Sequence, residues 1–84
     1  MFYVYLLRSE SRPEETYIGF TANLKARLEQ HSSGKAGHTS KFAPWRLVTY
    51  IAFSLKRKAE AFETYLKSGS GRAFANKHLC DAIR

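Results

Sequence analysis

The sequence predicts an α/β fold in which a small sheet of mixed or antiparallel strands is packed by helices. Three stretches are rich in aromatic and β-branched residues, which is typical of strands. Three others repeat apolar residues every three or four positions, which is the helical period. Their order along the chain is strand, strand, helix, strand, helix, helix. A length of 84 residues suits one domain with a modest core, covering residues 1–84.

The first two strands are predicted to form an antiparallel hairpin. Residues 2–8, FYVYLLR, alternate so that Tyr3 and Tyr5 share one face. The polar segment 9–15 contains a proline and is typical of a turn, and TYIGF at 16–20 then returns as the second strand. Because the connection is short, the two strands are expected to pair directly.

Gly19 lies inside the second strand, where a residue without a side chain packs nothing and is normally avoided. Two explanations are open: a bulge or bend, or a place where another group approaches closely. Tyr17 and Gly19 share a face of the strand, so the missing side chain would leave space beside the Tyr17 hydroxyl.

The first helix follows directly. Thr21 is predicted to cap its start, and Gly34 is predicted to end it in a left-handed conformation. Arg27 lies one turn before His31, so the two side chains point the same way. The apolar stripe of this helix consists of Leu24, Leu28 and His31.

A loop is predicted over residues 35–44, because small, basic and polar residues occur there without a period. The next segment, 45–53, is long and largely apolar. Such a run favours a strand buried on both faces, at or near the centre of the sheet.

Two further helices complete the chain. The first covers 55–67, and Glu63 falls on the border of its apolar stripe. The stripe consists of Leu55, Ala59, Phe62 and Leu66. The SGSG segment then breaks the chain, and Ser70 or Gly71 is predicted to begin the last helix. Its inward residues are Phe74, His78 or Leu79, and Ala82.

The net charge of +7 is uneven, since residues 35–84 carry ten Lys or Arg against three acidic residues. A concentrated positive field attracts polyanions, most often nucleic acid, although a generic solubilising charge is the alternative.

The single cysteine, Cys80, cannot form an internal disulfide, and no run is long enough to span a bilayer. A cytoplasmic protein without a membrane partner is therefore expected.

The chain lacks the common phosphate-loop, paired-cysteine, zinc-helix and nucleophile-elbow motifs. Tyr5 and Tyr17, on adjacent strands, could place both hydroxyls on one face, although strand tyrosines most often serve packing. Glu63 and Lys67 are spaced for a surface ion pair, which would explain Glu63 without a metal. His31 could equally be a core histidine with a hydrogen bond.

Five features occur in a familiar order and spacing. Tyr3-Val4-Tyr5 stands where one family has GIY, with tyrosine in place of the glycine, and Tyr17-Ile18-Gly19 is the YIG motif itself. Arg27 and His31 fall at that family's helix positions, and Glu63 at its acidic position. The chain thus resembles the GIY-YIG endonuclease superfamily, specifically its small single-domain bacterial members, over nearly its whole length.

This resemblance implies a three-stranded antiparallel sheet flanked by helices, in the order β-β-α-β-α-α. It also implies hydrolysis of a DNA phosphodiester with one divalent metal, Mg²⁺ or Mn²⁺, held by Glu63. Arg27 would stabilise the scissile phosphate. Tyr5, Tyr17 and His31 would position or deprotonate the attacking water, and Tyr5 is the first choice for the proton acceptor.

We therefore expect a DNA endonuclease of DNA repair or recombination that selects DNA structure or weakly selects sequence. Two alternatives stay open: a non-catalytic nucleic-acid-binding module and an adaptor of a repair complex on the same fold. Because no further DNA-binding domain is recognisable, a protein partner could supply target specificity. The candidates for contacts to DNA phosphates are Lys35, Lys41, Arg46, Lys67 and Arg72.

Overall fold

Three strands and three α-helices follow one another in the predicted order, with one additional short helix. The computed structural model describes residues 1–33 and 37–80, without the side chains of residues 38 and 39. The strands are β1 (Phe2–Ser9), β2 (Thr16–Thr21) and β3 (Trp45–Phe53). The α-helices are α1 (Leu24–Ser32), α2 (Lys56–Lys67) and α3 (Gly69–His78). A 3-10 helix, Gly37–Phe42, occupies most of the segment that was predicted to be a loop.

The sheet is antiparallel, with the strand order β2-β1-β3, so the expected three-stranded antiparallel sheet is confirmed. β1 is the central strand, and four consecutive residues of it, Val4 to Leu7, are buried. The third strand was predicted to be buried on both faces, at or near the centre of the sheet. β3 is instead an edge strand in which only Trp45 is buried, although both α1 and α2 pack against it.

The sheet separates two hydrophobic clusters because successive strand residues point to opposite faces. Val4 packs with α2 and α3, against a buried group that comprises Ala59, Leu66 and Ala75. Tyr5 and Leu7 point to the other face, where they pack with Trp45 and with leucines of α1. The predicted inward stripes of α1 and α2 are therefore largely correct, but Leu55 is 44% exposed and precedes α2.

Two helix starts differ from prediction. Asn23 caps α1, since its side-chain oxygen accepts a hydrogen bond from the Ala26 amide at 3.1 Å. Thr21 ends β2 instead, and its hydroxyl oxygen accepts from the Asn23 amide at 3.1 Å. α3 begins earlier than expected, with Ser68 as its cap. The predicted helix end at Gly34 and the inward position of Ala82 lie outside the described residues.

The α2–α3 junction is tight. The Ser68 hydroxyl accepts from the Gly71 amide at 3.1 Å, which satisfies one free donor of the first turn of α3. A Cβ atom at Gly71 would overlap the Tyr65 carbonyl, so only glycine allows α3 to fold back so closely on α2.

In the part of the chain that the structure describes, no helix is both long and apolar enough to cross a bilayer.

Candidate active site

Tyr5 lies at the centre of the candidate site, and Gly19 makes room for it. The two residues are directly opposite in the antiparallel pairing of β1 and β2. A Cβ atom at Gly19 would overlap the hydroxyl and the ring of Tyr5, and would lie 2.8 Å from its Cε1 atom. Of the two explanations for this glycine, close approach is therefore correct. The space that was expected beside the Tyr17 hydroxyl is filled by the ring of Tyr5.

The Tyr5 hydroxyl reaches the end of α1. Its oxygen is 3.0 Å from His31 Nε2, and both residues are almost fully buried, at 1% and 2% exposure. The Tyr17 ring completes the group, with its centroid 5.0 Å from that of His31 and 6.3 Å from that of Tyr5. Tyr17 is only partly buried and so forms the more open side of this cluster.

Arg27 lies one turn before His31 on α1, and it also reaches Tyr5. Burial and the neighbouring Tyr17 raise the pKa of Tyr5 to about 12, although Arg27 opposes the shift through its charge and a hydrogen bond. A tyrosinate base would need a shift in the other direction. The tyrosine that was the first choice for the proton acceptor is therefore held in its neutral form, and its tyrosinate is costly to form near neutral pH.

Glu63 approaches from α2. Its Oε2 atom is 3.0 Å from Lys67 Nζ, so the ion pair suggested by their spacing is formed. The Glu63 carboxylate makes the smallest of the contributions that raise the pKa of Tyr5. The ion pair is therefore the role of Glu63 that the structure shows, and its role as a metal ligand stays a prediction.

A lone carboxylate suits one type of cation in particular. Within residues 1–33 and 37–80 no three His, Cys, Asp or Glu side chains converge as a metal-binding cluster. Mg²⁺ commonly keeps several waters and takes one or two carboxylates together with substrate phosphate oxygens. Glu63, which is 23% exposed, is compatible with that mode of binding.

The proposed phosphate contacts are distributed over several elements. Lys67 and Arg72 line one groove together with Tyr17, and the Arg72 Nε atom donates to the Lys67 carbonyl at 3.4 Å. Lys41 is exposed on the 3-10 helix, where its ammonium group lies 5.1 Å from the centre of the Phe42 ring. Arg46 is exposed on β3, and Lys35 falls outside the described residues.

Most residues of the groove received no role from the sequence, and Arg8 and Asn76 are among them. Arg8 ends the apolar run of β1, and Asn76 lies on α3. Only the strand register and the packing of α3 bring them near Tyr17. For Arg8, its place as a charged residue at the end of an apolar strand could have indicated a role. For Asn76, nothing in the sequence indicated one.

Around a small antiparallel sheet the structure places a guanidinium, hydroxyl groups and one carboxylate. A guanidinium and hydroxyls can bind phosphate oxygens and a carboxylate can bind a cation, so this class of domain is suited to phosphodiester chemistry. Comparison with known families agrees with this class. The GIY-YIG catalytic domain matches residues 1–77, and the chain belongs to the GIY-YIG family. The resemblance inferred from the motifs is thereby confirmed.

Bacterial and eukaryotic proteins are similar to the chain. A UPF0213 protein of Clostridium perfringens is 38% identical over 68 residues, which cover 80% of this chain and 71% of that protein. The structure-specific endonuclease subunit SLX1 homolog of Giardia intestinalis is 42% identical over 65 residues, or 73% of this chain and 18% of that protein. The chain spans less than a quarter of the length of this relative.

A solved structure supports the fold. The solution NMR structure of the UPF0213 protein BH0048 from Bacillus halodurans superposes with a TM-score of 0.55 at 31% sequence identity. The match covers 92% of this chain and 84% of the other. The three-stranded sheet with its helices is therefore the fold of this family.

Replacing Gly19 by alanine tests the packing of Tyr5. We expect Gly19→Ala to lower the free energy of unfolding by about 1 to 3 kcal/mol, because the added methyl group would force Tyr5 from its place. Urea unfolding measures the change. Gly69→Ala is the matched control, since nothing lies within 4 Å of its Cβ position, and it should change stability by less than about 0.5 kcal/mol. Equal stability of the two variants would contradict the contact.

Alkaline pH tests the environment of the Tyr5 hydroxyl. Its pKa is raised from 10.0 to about 12, so the unfolded chain loses this proton before the folded protein does. The stability that this shift contributes is complete below about pH 10 and is lost as the pH rises toward about 12. Urea unfolding across this range should show a smaller decline for Tyr5→Phe than for the unmodified protein. Tyr50→Phe, at a position 48% exposed, should retain the full decline; the same decline in Tyr5→Phe would refute the assignment.

Proposed function

We propose that the protein is a metal-dependent DNA endonuclease that hydrolyses phosphodiester bonds and selects DNA structure or weakly selects sequence. The observation that carries this proposal is the convergence of Tyr5, Tyr17, His31 and Arg27 on one face of the sheet of a GIY-YIG domain. Relatives that are named structure-specific endonuclease subunits support the activity and its substrate class.

Arg27 is proposed to bind the scissile phosphate. A guanidinium forms paired hydrogen bonds with phosphate oxygens and keeps its charge throughout the reaction. Its position next to the Tyr5 hydroxyl would hold the phosphorus close to the tyrosines. Lys67 and Arg72 would bind neighbouring phosphates, and Lys41, Arg46 and Lys35 are proposed as more distant contacts.

Glu63 is proposed to hold the divalent metal, Mg²⁺ or Mn²⁺. Bound there, the ion would neutralise charge that develops on the phosphate oxygens. The Glu63 carboxylate pairs with Lys67, a partly exposed ion pair worth about 0 to 1 kcal/mol. Such a weak pair is a small obstacle to a cation that competes for the same carboxylate.

His31 is proposed to share the proton transfer with Tyr5. Because the pKa of Tyr5 is raised to about 12, a free tyrosinate is costly. A relay avoids this cost: Tyr5 takes a proton from the attacking water while its own proton passes to His31 Nε2, 3.0 Å away. The relay requires a neutral His31 whose other ring nitrogen carries the proton. Tyr17, the more open of the two tyrosines, would position the water.

A second candidate function is a nucleic-acid-binding module that does not cleave. The Glu63–Lys67 ion pair and the raised pKa of Tyr5 favour it, since the carboxylate is already paired and the hydroxyl stays protonated. The cationic residues would serve either function.

We further propose a role in DNA repair or recombination and a cytoplasmic location. A protein partner would supply specificity, because two relatives are named as subunits of a structure-specific endonuclease.

Removing the carboxylate of Glu63 separates the two candidates. We expect Glu63→Ala to lose nicking of supercoiled plasmid and cleavage of branched DNA by about 100-fold or more with Mg²⁺ or Mn²⁺, because a metal ligand is worth several kcal/mol of barrier. DNA binding should persist. Glu60→Ala, exposed on the same helix, is the matched control and should cleave normally. Binding without cleavage by every version, including the unmodified protein, would favour the binding module.

The relay is tested by a substitution that keeps the hydrogen bond of His31 but removes its ability to accept a proton. His31→Gln still offers an acceptor to the Tyr5 hydroxyl, and we expect it to bind DNA normally and to cleave about 100-fold more slowly. Single-turnover cleavage of one defined substrate measures the rate. Tyr5→Phe should show a similar loss, and Tyr50→Phe none. Full activity of a folded His31→Gln variant would leave His31 only a structural role.

A further inference from the structure

Ser9, the last residue of β1, is a buried polar residue with no part in the candidate active site. Its side chain is only 1% exposed. The Ser9 hydroxyl donates to the Phe42 carbonyl at 2.6 Å and accepts from the Arg12 amide at 3.0 Å, and the Ser11 hydroxyl lies 3.2 Å away. One oxygen atom thus joins the end of β1, the turn that follows it and the 3-10 helix.

The bond to Phe42 fixes the end of the 3-10 helix against the sheet. A backbone bond lies beside it, from the Glu10 amide to the Pro44 carbonyl at 3.0 Å. A buried polar group that loses its partner costs about 1 to 3 kcal/mol, so the Ser9 side chain and the Phe42 backbone hold each other in place. The segment that enters β3 is therefore attached to the end of β1 at two points.

Aromatic rings lead from Phe42 to the candidate active site. The Phe42 ring lies edge-on to Trp45, with 6.2 Å between the centroids, and the Trp45 centroid is 6.3 Å from that of Tyr17. Trp45 is itself directly opposite Ser9 in the pairing of β1 and β3. Because a protein interior is closely packed, a ring that moves displaces the rings it touches. The Ser9 bond therefore bears on the position of Tyr17.

We propose that Ser9 is a positioning residue: by holding Phe42 against Trp45, it fixes the Tyr17 ring where Tyr17 can position the attacking water. This inference rests on the proposed function and adds a residue to it. Ser9 is too deeply buried to contact DNA. Its loss consequently slows the cleavage step and leaves the affinity for DNA unchanged.

Ser9→Ala tests the position of the rings without DNA or metal. Trp45 is the single tryptophan of the chain, so acrylamide quenching of its fluorescence reports how well it is covered. We expect Ser9→Ala to raise the quenching constant about twofold, because a released Phe42 uncovers the indole. The ring proton resonances of Tyr17 should also shift in NMR spectra, because their positions depend on the ring current of Trp45.

Cleavage tests the consequence for the reaction. In single-turnover assays Ser9→Ala should cleave about tenfold more slowly at saturating protein, because a misplaced positioning group raises the barrier, while the Kd for the same DNA is unchanged. Ser40→Ala is the matched control. It removes the same hydroxyl from an exposed position of the same 3-10 helix and should change neither the quenching, the Tyr17 resonances nor the rate.

Phe42→Leu provides a second variant should Ser9→Ala fold poorly. It keeps the carbonyl that Ser9 binds but removes the ring between Ser9 and Trp45, so it should reproduce the changes in quenching, resonances and rate. Unchanged quenching and Tyr17 resonances in the folded variants would overturn the proposal, as would a slower cleavage that weaker DNA binding accounts for. Shifted Tyr17 resonances in a protein that cleaves nothing with any metal would support the positioning role while refuting the nuclease.

Discussion

The contact between Tyr5 and Gly19 is the constraint on which the candidate site depends. Tyr5 is a large side chain on the central strand, and a directly opposite residue with a Cβ atom would occupy the place of its ring. Because Gly19 has none, Tyr5 lies flat enough across β2 to bring its hydroxyl to His31 on α1. One missing side chain on an edge strand thus decides where a buried hydroxyl on the central strand is placed.

The same packing determines the chemistry available to that hydroxyl. Burial beside Tyr17 raises the pKa of Tyr5, and the charge of Arg27 only partly compensates. The Tyr5 hydroxyl therefore stays protonated, and a stored negative charge on it is costly. Its hydrogen bond of 3.0 Å to His31 is the contact on which the proposed relay rests.

A second set of charged residues lies around the opposite face of the sheet and its border. Glu63 and Lys67 on α2 form an exposed ion pair, and Arg72 at the start of α3 donates to the Lys67 backbone. The tight α2–α3 junction at Gly71 allows this proximity. Together with Arg8 on β1, these residues extend a cationic surface from Tyr17 along the groove, as expected for a protein that follows a phosphate backbone.

The sequence by itself determined the order of the elements, the antiparallel hairpin, the inward stripes of α1 and α2, and the family motifs that contain Tyr5, Tyr17, Arg27, His31 and Glu63. These depend on local periodicity and short-range spacing, which a single chain displays directly. Strand order was not determined, because β1 and β3 are both apolar and only their pairing shows that β1 is central. The capping of α1 by Asn23 also escaped prediction, since Thr21 and Asn23 are both suitable caps. The tertiary structure alone decided that Gly19 accommodates Tyr5, that burial raises the pKa of Tyr5 and keeps it neutral, and that Arg8 lies opposite Arg46, because each depends on which residues of distant segments are brought together.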